Sequence, residues 1–164
     1  MPYLPLPSLE VIRTGRSYLK AALLLEQSNS GDLFRPMCVM TGLAIEVFIK
    51  SFLATDDSKL ISEMNGISMY SGAVASERGH FLDELFNKIE PSWRQAILDT
   101  SERLSPGYPL EQKLKDYAGY FFQARYDYEA GSIGVLRSEV LDVAEHMERI
   151  CTELLPKVVK ASEL

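Results

Sequence analysis

The chain has 164 residues, a formal net charge of −6 and a pI of about 5.0, with nearly half its residues apolar. That length suits one domain with a proper core, and the apolar fraction excludes a disordered chain. The acidic balance argues against broad, charge-driven binding to DNA or RNA, which needs a dense basic surface. A small local basic site stays compatible with it.

Residues 1–7, Met-Pro-Tyr-Leu-Pro-Leu-Pro, read as an extended lead-in. They lack the basic start and long apolar run of a signal peptide. Ser8 can cap a first helix with Ile12, Leu19 and Leu23 on its core face. After the turn Asn29-Ser30-Gly31-Asp32, a second helix is expected from Leu33 to Ala54. It is apolar nearly all round and therefore belongs at the centre of the fold. Glu46 and Lys50 within it argue against a membrane span, so a soluble, cytoplasmic protein is expected.

Residues 55–79 are rich in Ser, Gly and Asp and read as an irregular, mobile loop. A short hairpin or helical turn within it fits the same composition. Phe81–Ile89 has the spacing of a short helix, and Pro91 opens the next at a position where a missing N–H costs nothing. Ser105-Pro106-Gly107-Tyr108-Pro109 is a firm break. An aromatic helix is expected from Leu110 to Glu129, and residues 130–134 break the chain again. In the last helix Leu136, Val140, Val143, Met147, Ile150 and Leu154 form a heptad-like seam. No strand pattern competes. The expected architecture is all-α: a single-domain antiparallel bundle of five or six helices spanning residues 1–164.

Four charged groups fall on apolar faces. Arg125 shares a helical stripe with Leu114, Tyr117, Phe121 and Tyr128, where a guanidinium must meet a carboxylate, a carbonyl, an anion or a partner chain. Glu46 and Lys50 lie four apart, and Arg16 lies among Ile12, Leu19 and Leu23. His80 follows Gly79 at a helix start. As a structural network, Glu46 would pair with Lys50 along its helix and with Arg125 or Arg16 across the bundle. As an anion site, the planar fork of Arg125 would hold phosphate, with His80 and Tyr128 as further donors. His80 also supplies a group for proton transfer, whereas His146, beside the last seam, reads as packed or surface-exposed.

Common chemistries find no support. There is no phosphate-binding glycine loop and no GxSxG elbow. Cys38, Cys151, His80 and His146 are not at metal-ligand spacing, so no metal or cofactor is expected. Both cysteines read as buried free thiols in a reducing compartment.

Three segments, in order, resemble the HEPN family (higher-eukaryote and prokaryote nucleotide-binding domains). Leu43-Ala44-Ile45-Glu46-Val47-Phe48-Ile49-Lys50 is similar to its Glu-x-x-x-Lys helix. Gly79-His80-Phe81-Leu82-Asp83-Glu84-Leu85 is similar to its Gly-His-x-Leu-x-x-Leu segment. Arg125-Tyr126-Asp127-Tyr128-Glu129 is similar to its Arg-Tyr-x-Tyr-Glu helix end. The resemblance implies an all-α bundle, a homodimer and, in many members, metal-independent RNA cleavage by an arginine and a histidine with four to six residues between them. Here those later positions carry Ala130, Gly131 and Ser132, none of them able to do acid–base work at neutral pH.

The expectation is accordingly a non-catalytic HEPN-like module. It would dimerise and bind a partner protein, a nucleotide or RNA at a cleft formed by Arg125, Glu46, Lys50, His80, Tyr126 and Tyr128. The alternative is an endoribonuclease of a toxin–antitoxin or defence system with a rearranged acid–base group, its candidate catalytic residues being Arg125, His80 and Tyr128.

Overall fold

The computed structural model describes residues 4–126 and 138–156. Helix α1 (Leu9–Gln27) buries Ile12, Gly15, Leu19 and Ala22, a 3-4-3 spacing that puts them on one face. Ser8 occupies the N-cap position, but its side chain makes no capping hydrogen bond. It is buried, and its backbone N–H donates to the Ser51 carbonyl at 2.9 Å, tying the start of α1 to the end of the next helix.

After a 3-10 turn at Gly31–Leu33 comes α2 (Phe34–Lys50), the hub of the fold, which packs against α1, α3 (Leu82–Lys88), α6 (Tyr120–Ala124) and α7 (Val140–Leu154). Its buried residues lie on several sides, as its near-continuous apolar sequence dictates. The helix stops at Lys50 rather than Ala54. Ser51 terminates it by donating its hydroxyl to the Phe48 carbonyl at 2.6 Å. At Gly15 an added Cβ would lie 2.7 Å from the Phe48 ring, so α1 and α2 approach closely there.

Pro91 does open α4 (Pro91–Leu104), which packs on α7. The amphipathic α7 buries Val140, Val143, Met147 and Ile150 of the expected seam, while Leu136 lies outside the described residues. Cys38 and Cys151 are buried and free. Among the described residues no helix is long and apolar enough to cross a membrane.

The chain is mostly helical, yet two expectations need correcting. Residues 55–75 carry four short strands, β1 (Thr55–Asp56), β2 (Leu60–Met64), β3 (Ile67–Tyr70) and β4 (Val74–Ala75), so the protein is not purely α. β1 pairs with β4 and β2 with β3, both antiparallel. The turn is Asn65-Gly66, both at positive φ, which is the hairpin signature. Neither β2 nor β3 has a buried residue, so burial periodicity gave no sign of them.

The second correction concerns the aromatic helix, which is two short helices, α5 (Leu110–Asp116) and α6. The chain turns at Tyr117–Gly119, and the Ala118 carbonyl there accepts the Leu82 N–H at 2.9 Å, serving the start of α3. An added Cβ at Gly119 would lie 3.1 Å from the Phe81 ring, so the turn is also sterically narrow.

Candidate functional site

Glu46 is buried on α2, one turn before Lys50, whose ammonium donates to Glu46 Oε1 at 2.7 Å. Facing the same carboxylate is His80, with Nδ1 at 3.1 Å from Oε1 and 3.2 Å from Oε2. His80 precedes α3 rather than starting it, and its partner is this carboxylate rather than backbone carbonyls. The acceptor at Nδ1 selects the tautomer with the proton on that nitrogen, which leaves the Nε2 lone pair available. About half of the His80 side chain is exposed.

The His80 ring stacks on Phe122, with centroids 6.0 Å apart and planes 25° apart, and also meets Phe121 at 5.9 Å. From the other direction the Arg125 guanidinium lies over the same two rings, 4.7 Å from the Phe121 centroid and 5.1 Å from that of Phe122. It is also 5.0 Å from the Tyr126 ring. The sequence-selected residues Glu46, Lys50, His80, Arg125 and Tyr126 are thus brought together around a platform of aromatic rings. Tyr128, and the positions Ala130, Gly131 and Ser132, lie outside the described residues.

Arg125 is not desolvated. It caps the end of α6 and is exposed: Leu114, Tyr117 and Phe121 of the expected stripe are buried, but Arg125 lies one residue past the end of the helix. Glu46 pairs with Lys50 along its helix as expected, and across the bundle its partner is His80 rather than Arg125 or Arg16. Arg16 instead reaches α7, with Nε donating to Glu148 Oε1 at 2.7 Å and an Nη to the Thr152 hydroxyl at 2.8 Å.

Arg125 borders a cleft of about 670 Å³ lined also by Asp32, Phe34, Arg35, Val39 and Met40. Arg35 was not singled out from sequence, although a signal existed. A basic side chain in the first turn of α2 opposes the helix dipole, which favours negative charge there. Exposed arginines from two elements thus line the cleft together with Asp32, beside the N-terminal end of a long helix, and arginine forks suit an anionic ligand.

Gly42 was also missed. A Cβ at Gly42 would lie 2.8 Å from Phe121 Cβ and 2.9 Å from the Phe121 backbone, so α6 sits directly on α2 there. This close approach is what sets the aromatic platform against Glu46 and Lys50.

His146 belongs elsewhere. It is buried, Ser101 Oγ is 2.7 Å from its Nε2, and Arg149 approaches Nδ1 at 3.3 Å. Arginine can only donate, so Nδ1 is the acceptor and Nε2 carries the proton toward Ser101. That tautomer cannot activate the serine as a nucleophile, and the pair is a packing contact. Burial, and then the Arg149 charge, hold the His146 pKa below its ordinary value. Among the described residues no three His, Cys, Asp or Glu side chains group in a way that could hold a metal ion. Set against family models, characterised proteins and solved structures, the chain finds no match.

Proposed function

We propose that this chain is a HEPN-like helical module, dimeric and non-catalytic, that binds a nucleotide or an RNA end at the cleft bordered by Arg125. The observation that carries this reading is the exposed Arg125 guanidinium, held over Phe121, Phe122 and Tyr126 at the rim of a cleft that Arg35 also lines. Arginine forks suit phosphate, and Phe122, the exposed ring of the three, offers stacking surface to a base. Packing on the rings pre-orients the guanidinium, so less side-chain freedom is lost on binding. The order and spacing of the three family-like segments support the dimer and the module type, and the absence of a histidine at 130–132 supports a binding role.

The test is fluorescence anisotropy with a short labelled single-stranded RNA in EDTA, wild type against Arg125→Ala. Affinity is expected to fall at least about tenfold, the size of one lost charge-assisted contact. The melting temperature should stay within a few degrees, because the side chain is exposed. Equal affinities would overturn the assignment.

One observation favours a second reading. The Glu46 carboxylate on His80 Nδ1 is the arrangement that leaves a histidine's Nε2 free to take a proton, and His80 shares the Phe122 platform with Arg125. On this reading the acid–base group of an RNA-cleaving enzyme comes from before α3 instead of from the helix end. It requires EDTA-resistant cleavage giving cyclic-phosphate ends, lost in both Arg125→Ala and His80→Asn. No cleavage at high protein concentration would dismiss it.

A further inference from the structure

The tip of the β2–β3 arm is the turn Asn65-Gly66, closed by the Met64–Ile67 pair. Asn65 is held at φ 55° and Gly66 at φ 76°, a left-handed geometry that asparagine tolerates better than most side chains. Both residues are exposed, and an added Cβ at Gly66 would meet nothing within 4 Å. Among the described residues, neither the Asn65 side-chain amide nor the Gly66 N–H has a hydrogen-bond partner. A side-chain amide and the backbone N–H that follows it are thus both untied. The glycine carries no side chain to obstruct their approach.

The chain has two other asparagines, and both differ. Asn29 shares the positive φ, at 52°, but precedes Ser30, whose Cβ crowds the nitrogen that would attack. Asn87 lies inside α3, with Arg94 Nη1 3.5 Å from its Oδ1. Closing a ring at Asn65 requires its backbone to rotate out of the turn. The strands of the arm bury no residue and take no part in the core, so that rotation disturbs the arm alone.

We propose that Asn65 is a site of spontaneous deamidation, reached without unfolding the helical body. The Gly66 backbone nitrogen, its proton passed to water, attacks Asn65 Cγ. The new C–N bond closes a succinimide, and the Cγ–Nδ2 bond breaks with loss of ammonia. Water then opens the ring at one carbonyl or the other, leaving aspartate or isoaspartate at position 65. The only co-reactant is water. Either product adds a carboxylate to a tip where Glu63 is the one charged strand residue. The aspartate product keeps the hairpin, because Asp-Gly suits the same turn. The isoaspartate product runs the backbone through the side chain, lengthens the turn by a methylene and breaks the Met64–Ile67 pairing.

Incubation of the full chain at mildly alkaline pH under native conditions, followed by peptide mapping, tests this. Protein isoaspartyl methyltransferase serves as the probe for isoaspartate. Conversion at Asn65 is expected to run at least about tenfold faster than at Asn29 or Asn87. A synthetic peptide of residues 60–70 gives the rate without the fold. Native Asn65 should lag that peptide by less than about a hundredfold, since only the arm has to open. A reaction that waited for global unfolding would lag by about a thousandfold or more. Asn65→Gln should lose the methyltransferase signal and keep the wild-type circular dichroism. Equal rates at the three asparagines, a lag of the global-unfolding size, or an undiminished signal in the variant overturns the proposal.

Discussion

Glu46 gathers the most consequential charges in the molecule. It is only 3% exposed, and its carboxylate receives Lys50 from the same helix and His80 from the segment before α3. Removing one partner of such a pair leaves the other desolvated and uncompensated. Glu46→Ala is therefore expected to cost about 3–5 kcal/mol in urea unfolding, most of it from the stranded Lys50. His80→Asn should cost far less, because that ring is half exposed and exposed pairs contribute little. Similar costs for the two variants would contradict this ranking.

His146 gives a pH dependence with a definite sign. Burial first, and Arg149 second, hold its pKa down in the folded state. The unfolded chain then binds more protons than the native one as pH falls through about 6.5, the ordinary histidine value. The stability that comes from keeping His146 neutral is complete above that pH and is lost progressively on acidification toward the lowered folded pKa. Denaturation midpoints measured between pH 8 and pH 5 should fall, and His146→Gln should show a shallower fall. An unchanged slope in the variant would assign the dependence to other groups.

At the scale of elements, the space around a glycine decides whether it can be replaced. Gly31, before α2, has open space around it, so Gly31→Ala should leave the melting temperature nearly unchanged. Gly42 lies under α6, with the Phe121 backbone within 2.9 Å of where a Cβ would sit. Gly42→Ala must push α6 away from α2 and is expected to cost about 1–3 kcal/mol. The same shift would move Phe121, Phe122 and Arg125 relative to Glu46 and His80. RNA affinity should therefore drop in this variant under conditions where it remains fully folded. Loss of stability with intact affinity would show that the platform tolerates displacement.

At the scale of the whole molecule, the helices share a core around α2 that includes Ile45, Phe48, Ile97, Leu114 and Met147. The β2–β3 arm contributes nothing to that core. The Ser71 N–H donates to the Lys59 carbonyl at 2.9 Å, so the arm begins and ends at one point. Replacing residues 60–70 by a short Gly-Ser link should leave the melting temperature of the body within a few degrees, measured at low concentration. A collapse of the fold would mean that the arm supports the body.

What the sequence determined by itself was whatever depends on local spacing. The near-uniform apolarity of residues 37–49 specified a central helix, the 4-3 seam from Val140 specified α7, and Pro91 marked a helix start. The four-residue interval between Glu46 and Lys50 alone brings them into contact. The β2–β3 hairpin was half-legible: its Asn-Gly turn carries the signal, but burial periodicity is silent for a ribbon with no buried face. Contacts between distant segments were decided only in the tertiary structure. The break at Tyr117–Gly119 follows from Leu82 claiming the Ala118 carbonyl and from Phe81 crowding Gly119, neither of which is local to the helix. Arg125, the residue that caps α6, lies in solvent on the Phe121 and Phe122 rings that His80 also touches. The stripe of Leu114, Tyr117 and Phe121 can be read from one segment, but where the helix stops depends on another part of the chain taking a carbonyl from its ladder.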